Sequence, residues 1–240
     1  MAETVETPAI VLDRIPYGEA DLILHLLTRD HGLVAALARS ARGSRRRFAG
    51  GVDLFVIADV RFRPAGARSS LALLAGAEPV RSFPGLYDHL DRMEAGQAML
   101  MLARDLLRDA PAGESTFLRV VEALARLETA PPDRAPLEIL GLAIALLCEL
   151  GHPPVDESCP ACGDAVGASG VVVVAPDGAM LCGRCAPAGA VRFASSLLGG
   201  TACEVEAGPV PARADVLSLV AALVSGVLGR RWRLRMGTEA

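Results

Sequence analysis

The chain has no lysine, and its 24 basic residues are all arginine. A phosphate-binding loop of the Gly-Lys-Ser or Gly-Lys-Thr kind is therefore excluded, and with it nucleotide hydrolysis at such a site. Aromatic residues contribute only 4%. The core must be built from Leu, Ala and Val, and flat side chains on which bases could stack are scarce. No apolar run reaches about 18 residues before a charge interrupts it, so no transmembrane helix is expected. The opening Met1-Ala2-Glu3-Thr4-Val5-Glu6 is acidic and lacks the basic and apolar regions of a secretory signal. These absences point to a cytoplasmic protein without membrane association. Catalytic groupings are missing too. The histidines His25, His31, His89 and His152 are scattered, no Ser/His/Asp or Cys/His set surrounds them, and no acidic cluster suits two metals. The sequence makes no positive case for an enzyme.

Cysteine is also sparse, at six residues, yet four of them form two Cys-x-x-Cys pairs. Cys159 and Cys162 are followed, after nineteen residues, by Cys182 and Cys185. Thiolates three residues apart on a tight knuckle can both point at one ion, and this spacing suits a four-cysteine zinc site. The spacer holds the β-branched run Val171–Val174 and the turn signal Pro176-Asp177-Gly178, which reads as a hairpin carrying one knuckle towards the other. Two disulfides, inert buried thiols or a redox dithiol are the alternatives. The doubled motif and the cytosolic reading favour one Zn2+ per chain. With four thiolates in the four tetrahedral positions no site stays open, so the ion is expected to be structural. Cys148 and Cys203 lie outside this spacing and read as core thiols.

Formal net charge is -4, which argues against a nucleic-acid partner. Its distribution argues the other way. Between His31 and Arg68 there are eight arginines against two acids, Asp53 and Asp59. Arg39, Arg42, Arg45, Arg46 and Arg47 fall within nine residues, mixed with Ser40, Gly43 and Ser44. Gly and Ser make the segment flexible, and it is either a solvated surface loop or a phosphate-contacting one. Placed on a barrel that binds nucleic acid, it becomes a DNA-binding candidate.

Apolar runs at Ala9–Leu12, Leu22–Thr28, Gly32–Arg39, Asp53–Phe62 and Ser69–Ala77 suggest five short strands, though Leu22–Leu27 and Ala35–Ala38 also suit helix. Five strands in about 80 residues suit a small closed barrel such as an OB-fold. From Phe83 the period becomes helical. A helix opening at Pro84 would place Leu86, Leu90, Met93, Gln97, Leu100 and Leu107 on one stripe. Phe117–Leu127 forms a second, and Leu137–Leu150, capped at Gly151, a buried third. Arg192–Leu198 and Ala214–Leu228 read as two more, before a basic tail from Arg230 to Arg235. The expected fold is therefore a multi-domain α+β chain. Its parts are a five-stranded OB-fold barrel (1–80), a helical domain (81–156 and 188–240) and an inserted four-cysteine zinc finger (157–187).

Taken in order, the motifs resemble the bacterial RecO family of recombination mediators. Val11-Leu12-Asp13-Arg14-Ile15-Pro16-Tyr17-Gly18-Glu19-Ala20-Asp21-Leu22 is similar to that family's opening, and Thr28-Arg29-Asp30-His31-Gly32 to its next turn. Ala36 to Arg42 resembles its basic segment, Ser82-Phe83-Pro84-Gly85-Leu86 its entry into the helical domain, and Leu150-Gly151-His152-Pro153-Pro154 with Cys159, Cys162 and Gly163 its zinc-bearing branch. The resemblance implies binding of single- and double-stranded DNA, annealing of complementary strands, and loading of RecA onto strands coated by single-strand-binding protein. It also implies two partners, RecR and the acidic tail of single-strand-binding protein, and a cytoplasmic protein that joins the nucleoid when on DNA. The other reading is a zinc-ribbon adaptor that holds a protein partner.

Overall fold

The computed structural model describes residues 3–44, 46–48, 50–66, 69–108, 110, 112–153, 158–167, 171–175, 179–187, 190–194 and 212–234. The chain divides into two compact units, Met1–Thr129 and Ala130–Ala240.

The first unit begins with five strands: β1 (Val5–Tyr17), β2 (Asp21–Thr28), β3 (Gly32–Ala38), β4 (Val56–Arg63) and β5 (Ala72–Ser82). They close into a barrel in the order β1-β2-β3-β5-β4. Only β3 and β5 run parallel, and the other neighbours are antiparallel. This is the expected OB-like barrel, and both segments that also suited helix are strands. The period-2 alternation puts Leu24, Leu26, Ala58, Val60, Phe62 and Leu74 inside. β1 departs from that alternation because both its faces are covered. Ala9 and Val11 enter the barrel, while Ile10 and Leu12 are buried outside it, on the strand against which a helix packs.

Several strand limits differ from expectation, β1 most of all, which runs Val5–Tyr17 where Ala9–Leu12 was expected. β4 starts at Val56 because Phe55 takes φ +60, which no extended strand allows. β5 runs on through Pro79 to Ser82. It pairs with β3 only at Ala72 and Leu73, so beyond them it has an edge that tolerates a residue without an N–H.

Helix α1 spans Leu90–Leu106 and α2 Glu114–Thr129. The helix expected from Pro84 therefore begins six residues late. Pro84–Leu86 is a single 3-10 turn, and His89 is extended at φ -137, ψ 134. The buried stripe is met only in part, with Leu86, Leu100 and Leu107 inside. Leu90 and Gln97 are exposed, whereas Ala95, Gly96, Ala98, Met99 and Ala103 are buried. Small residues win this face because the barrel side is bulky: a Cβ at Gly96 would lie 2.7 Å from the Phe55 ring. Arg104 ties α1 to the barrel through an ion pair with Asp13, whose carboxylate also has His25 Nδ1 3.8 Å away.

One glycine tests how closely the segment after β3 is fitted to the barrel. A Cβ at Gly51 would lie 2.7 Å from the Ala77 carbonyl oxygen and 2.8 Å from its carbon, both backbone atoms that cannot swing aside. Gly51→Ala is expected to cost about 1–3 kcal/mol, the range for overpacking. Gly43, with nothing within 4 Å of its virtual Cβ, should accept Ala with a change of no more than about 0.5 kcal/mol. Thermal or urea unfolding of the two variants checks the contrast; equal midpoints would refute it.

In the second unit, α3 (Ala135–Glu149) is apolar nearly all round. It ends at Gly151, φ +82, with Gly151 N–H donating to Cys148 O at 3.0 Å and His152 N–H to Leu147 O at 2.8 Å. That pair of bonds is a Schellman cap, as the sequence signal implied. A small sheet follows, ordered β7-β6-β8, from β6 (Val171–Val174), β7 (Met180–Cys182) and β8 (Val191–Ala194). α4 covers Arg213–Leu228, packs on α3, and ends at Gly229, φ +60. The helix expected over Arg192–Leu198 is overturned where it is described. Val191–Ala194 pairs antiparallel with the valine strand, Arg192 opposite Val173, so tertiary pairing overrides a weak helical pattern. Residues 195–198 lie outside the described ones, as do Pro176–Gly178, Cys203 and Arg235. Among the described residues no helix is long and apolar enough to cross a membrane.

Candidate functional site

The four knuckle cysteines come together. Their sulfurs all lie within 4.8 Å of one another, and Cys162 Sγ is 3.5 Å from Cys182 Sγ. A disulfide would bring two of them to about 2.05 Å, so the paired-disulfide alternative fails. A tetrahedral ion with metal–sulfur bonds of about 2.3 Å needs sulfurs about 3.8 Å apart, which this cluster fits. Local backbone explains the approach. Gly163 turns at φ +77 and its N–H donates to Cys159 O at 2.8 Å; Cys185 N–H does the same to Cys182 O at 3.1 Å. β7 delivers Cys182 and pairs it with Val172. Asp164 and Arg184 join the two knuckles through an ion pair that the spacing did not foretell.

The knuckle amides face the sulfurs and favour thiolates. Cys159 is lowered to about 6, first by the Cys182 amide and then, against burial, by those of Ala161 and Cys162. Cys182 is lowered by the amides of Arg184 and Cys185. Cys162 is pushed up to about 12, first by its contact with Cys182 and next by Cys185. Two sulfurs are set to lose their protons and are crowded by two, Cys162 and Cys185, that are pushed up and keep theirs. A divalent cation relieves that crowding by replacing the shared protons. His152 is exposed and is not in the cluster, and Cys148 is half-buried apart from it.

The described residues of the basic segment between β3 and β4 are held by hydrogen bonds, where its Gly and Ser content suggested a flexible loop. Ala41 and Phe48 bury its two ends in the barrel core. Ser40, at φ +54, donates its N–H to Asp21 Oδ1 at 2.7 Å. Arg42 is tied twice to the β1–β2 turn, its N–H to Ala20 O at 3.0 Å and its Nη1 to Glu19 O at 3.1 Å. Arg47 Nη2 donates to Arg39 O at 2.8 Å, its guanidinium lies 5.2 Å from the Phe48 ring centre, and its carbonyl accepts from Ala77 N–H at 3.0 Å. Arg39, Arg42, Arg46 and Arg47 are all exposed, and Arg45 lies outside the described residues. The near acid Asp53 is taken by Arg14 at 2.6 Å. Arg39 and Arg46 have no side-chain partner among the described residues. The aromatics offer few platforms: Phe48, Phe55 and Phe62 are core residues, and among the described residues Tyr17 and Tyr87 are the exposed ones.

Residues 1–83 match the family model described as Recombination protein O N terminal, and residues 88–237 the one described as Recombination protein O C terminal. The chain belongs to the RecO family. Among its relatives is the DNA repair protein RecO of Anaeromyxobacter dehalogenans (strain 2CP-C), 33% identical over 244 residues that take in 97% of this chain and 95% of that protein. The DNA repair protein RecO of Myxococcus xanthus (strain DK1622) is 30% identical over 238 residues, 95% of this chain and 94% of that one. That of Rubrobacter xylanophilus is 34% identical over 177 residues, 73% and 69% of the two chains.

The residues that carry the RecO resemblance sit mostly where this backbone turns. Gly18 follows Tyr17 at φ +58. In the Thr28–Gly32 turn, Thr28 Oγ1 donates to Gly32 O at 2.8 Å and accepts from His31 N–H at 3.1 Å, with Gly32 at φ +63. Phe83 is fully buried and its N–H donates to Phe55 O. Sequence reasoning found the arginines but missed the groups that hold them. Asp21 was visible as part of the opening motif, whereas the carbonyls of Glu19, Ala20 and Arg39 leave no sequence signal.

Proposed function

We propose that this RecO-family chain is a non-enzymatic mediator of recombinational DNA repair. It binds single- and double-stranded DNA through Arg39, Arg42, Arg45, Arg46 and Arg47, anneals complementary strands and helps load RecA onto strands coated by single-strand-binding protein. RecR and the acidic tail of single-strand-binding protein are its protein partners, RecA is engaged indirectly, and its place is the cytoplasm, on the nucleoid when DNA is bound. The carrying observation is an exposed arginine segment held by hydrogen bonds on a five-stranded barrel, with the Arg39 and Arg46 side chains unpartnered among the described residues. Arg forks held outward meet phosphate oxygens and release counterions, and no base need be read. The working modules are residues 1–80 for DNA, 157–187 for the metal, and 81–156 with 188–240 for the helical part. Cys159, Cys162, Cys182 and Cys185 hold one zinc ion, which would supply folding energy and no open position for a substrate.

Annealing by charge neutralisation makes the test a salt series. Purified protein should speed the pairing of two complementary oligonucleotides at low salt, with the gain fading as salt screens the contacts. No acceleration at any salt would turn the reading towards the zinc-ribbon adaptor.

A further inference from the structure

Arg61 belongs to the arginine-rich region but not to its dense run, and the barrel gives it a particular position. On β4 it lies between Val60 and Phe62, both inside the barrel, so its side chain points outward and is exposed. Register puts it between Glu6 on β1 and Gly76 on β5. A guanidinium governed by local charge alone would take Glu6, the acid directly across the strand. It does not: Arg61 and Glu6 form no ion pair. Instead it lies over Gly76. The point where a Gly76 Cβ would stand is 3.2 Å from Arg61 Nη2 and 3.4 Å from the Arg47 carbonyl oxygen. The pairing slips just there, Arg61 opposite Gly76 but Phe62 opposite Leu74, and such bulges re-aim side chains. The Arg47–Ala77 bond docks the basic segment on the same stretch of β5. Arg61 thus turns from an available carboxylate towards a segment of its own sign.

We propose that Arg61, laid across the side-chain-free backbone of Gly76, seats one backbone phosphate of a nucleic-acid strand and carries the interface from the 39–47 segment onto the barrel wall. The proposal rests on the reading of that segment as the DNA contact. Gly76 is the positioning residue: a Cβ there crowds the guanidinium, which gives way more easily than the Arg47 backbone, and a branched side chain such as Val should push it further aside.

The test is equilibrium binding of a fluorescent oligothymidylate across a salt series, on the full chain. Arg61→Ala should weaken binding about tenfold, as for one charge-assisted contact, and flatten the salt slope by about 0.7. Gly76→Val should weaken it in the same direction with no change of charge. Added to Arg61→Ala, it should produce no further loss, because the group it displaces is gone. Glu6→Gln should bind like the parent. Thermal midpoints for each variant separate a moved side chain from a damaged barrel. If changing Arg45, Arg46 and Arg47 weakens binding while Arg61→Ala keeps parental affinity and slope, this seat is refuted and the segment's role stands. If Gly76→Val and Arg61→Ala add in full, Gly76 does not position Arg61. If the segment variant binds like the parent, the DNA reading of the segment falls first.

Discussion

Replacing Cys159 with Ala is expected to strip the second unit of its metal and to destabilise its small sheet by several kcal/mol. The cause is the size of the core beneath that sheet. Cys159, Val173, Ala175, Leu181 and Cys182 are the buried members of the cluster, and two of the five belong to the cysteine quartet. Even with Val172, Val174 and Met180 also buried, this core is small against the conformational entropy of ordering the knuckles and three short strands. A bound ion would supply the difference, since binding free energies of about 10–16 kcal/mol for zinc in comparable peptides are folding free energy. Removing one thiolate leaves three ligands and an open position, so occupancy falls and hydrolytic exchange with water begins. Metal analysis of reduced protein should find one zinc per chain in the parent and well under one in the variant. Protease should then cut within 158–194 in the variant, and in the parent after a chelator. Because protons compete for the same sulfurs, the parent should lose its ion as pH falls. Freshly purified parent protein without zinc would overturn the metal assignment.

The cysteine quartet was legible because its chemistry is written in spacing: two short intervals fix the knuckles, and the hairpin between them is written in four valines. The barrel was legible for a similar reason, since alternation along Ala58, Val60 and Phe62 survives in one dimension. What escaped depends on partners distant in sequence. Val191–Ala194 is a strand only because Val171–Val174 offers an edge. α1 turns Ala95 and Gly96 inward, not Leu90 and Gln97, because Phe55 fills the space they meet. The bracing of the arginine segment is hidden most deeply, because its acceptors at Glu19, Ala20 and Arg39 are main-chain carbonyls, which every residue has. Composition suggested looseness where a handful of such bonds impose order, and that order bears on how the arginines act.

Changing Arg45, Arg46 and Arg47 together to Ala should weaken DNA binding about 100-fold at low salt and flatten the salt slope by about two, three phosphate contacts at about 0.7 each. With Tyr17 and Tyr87 the only exposed aromatics among the described residues, stacking adds little to affinity, so the loss should be nearly the same on oligothymidylate and on mixed-sequence strands. At about 1 M salt the parent and the variant should converge, because the Debye length shrinks to about 3 Å. The three arginines are not equivalent, however. Arg46 is exposed with no side-chain partner among the described residues, so Arg46→Ala should change binding and leave the thermal midpoint alone. Arg47 both faces solvent and holds the Arg39 carbonyl, and its ring contact with Phe48 anchors it. Arg47→Ala should therefore lower affinity further than Arg46→Ala and lower the midpoint as well, because Arg39 loses its brace. Arg47→Lys should restore the charge but not the fork that spans the Arg39 carbonyl and a phosphate together. Equal single-variant effects on affinity and stability would mean that the segment acts as diffuse charge alone. Parental affinity and salt slope in the triple variant would remove the segment from the interface and leave the adaptor reading as the better account of the chain.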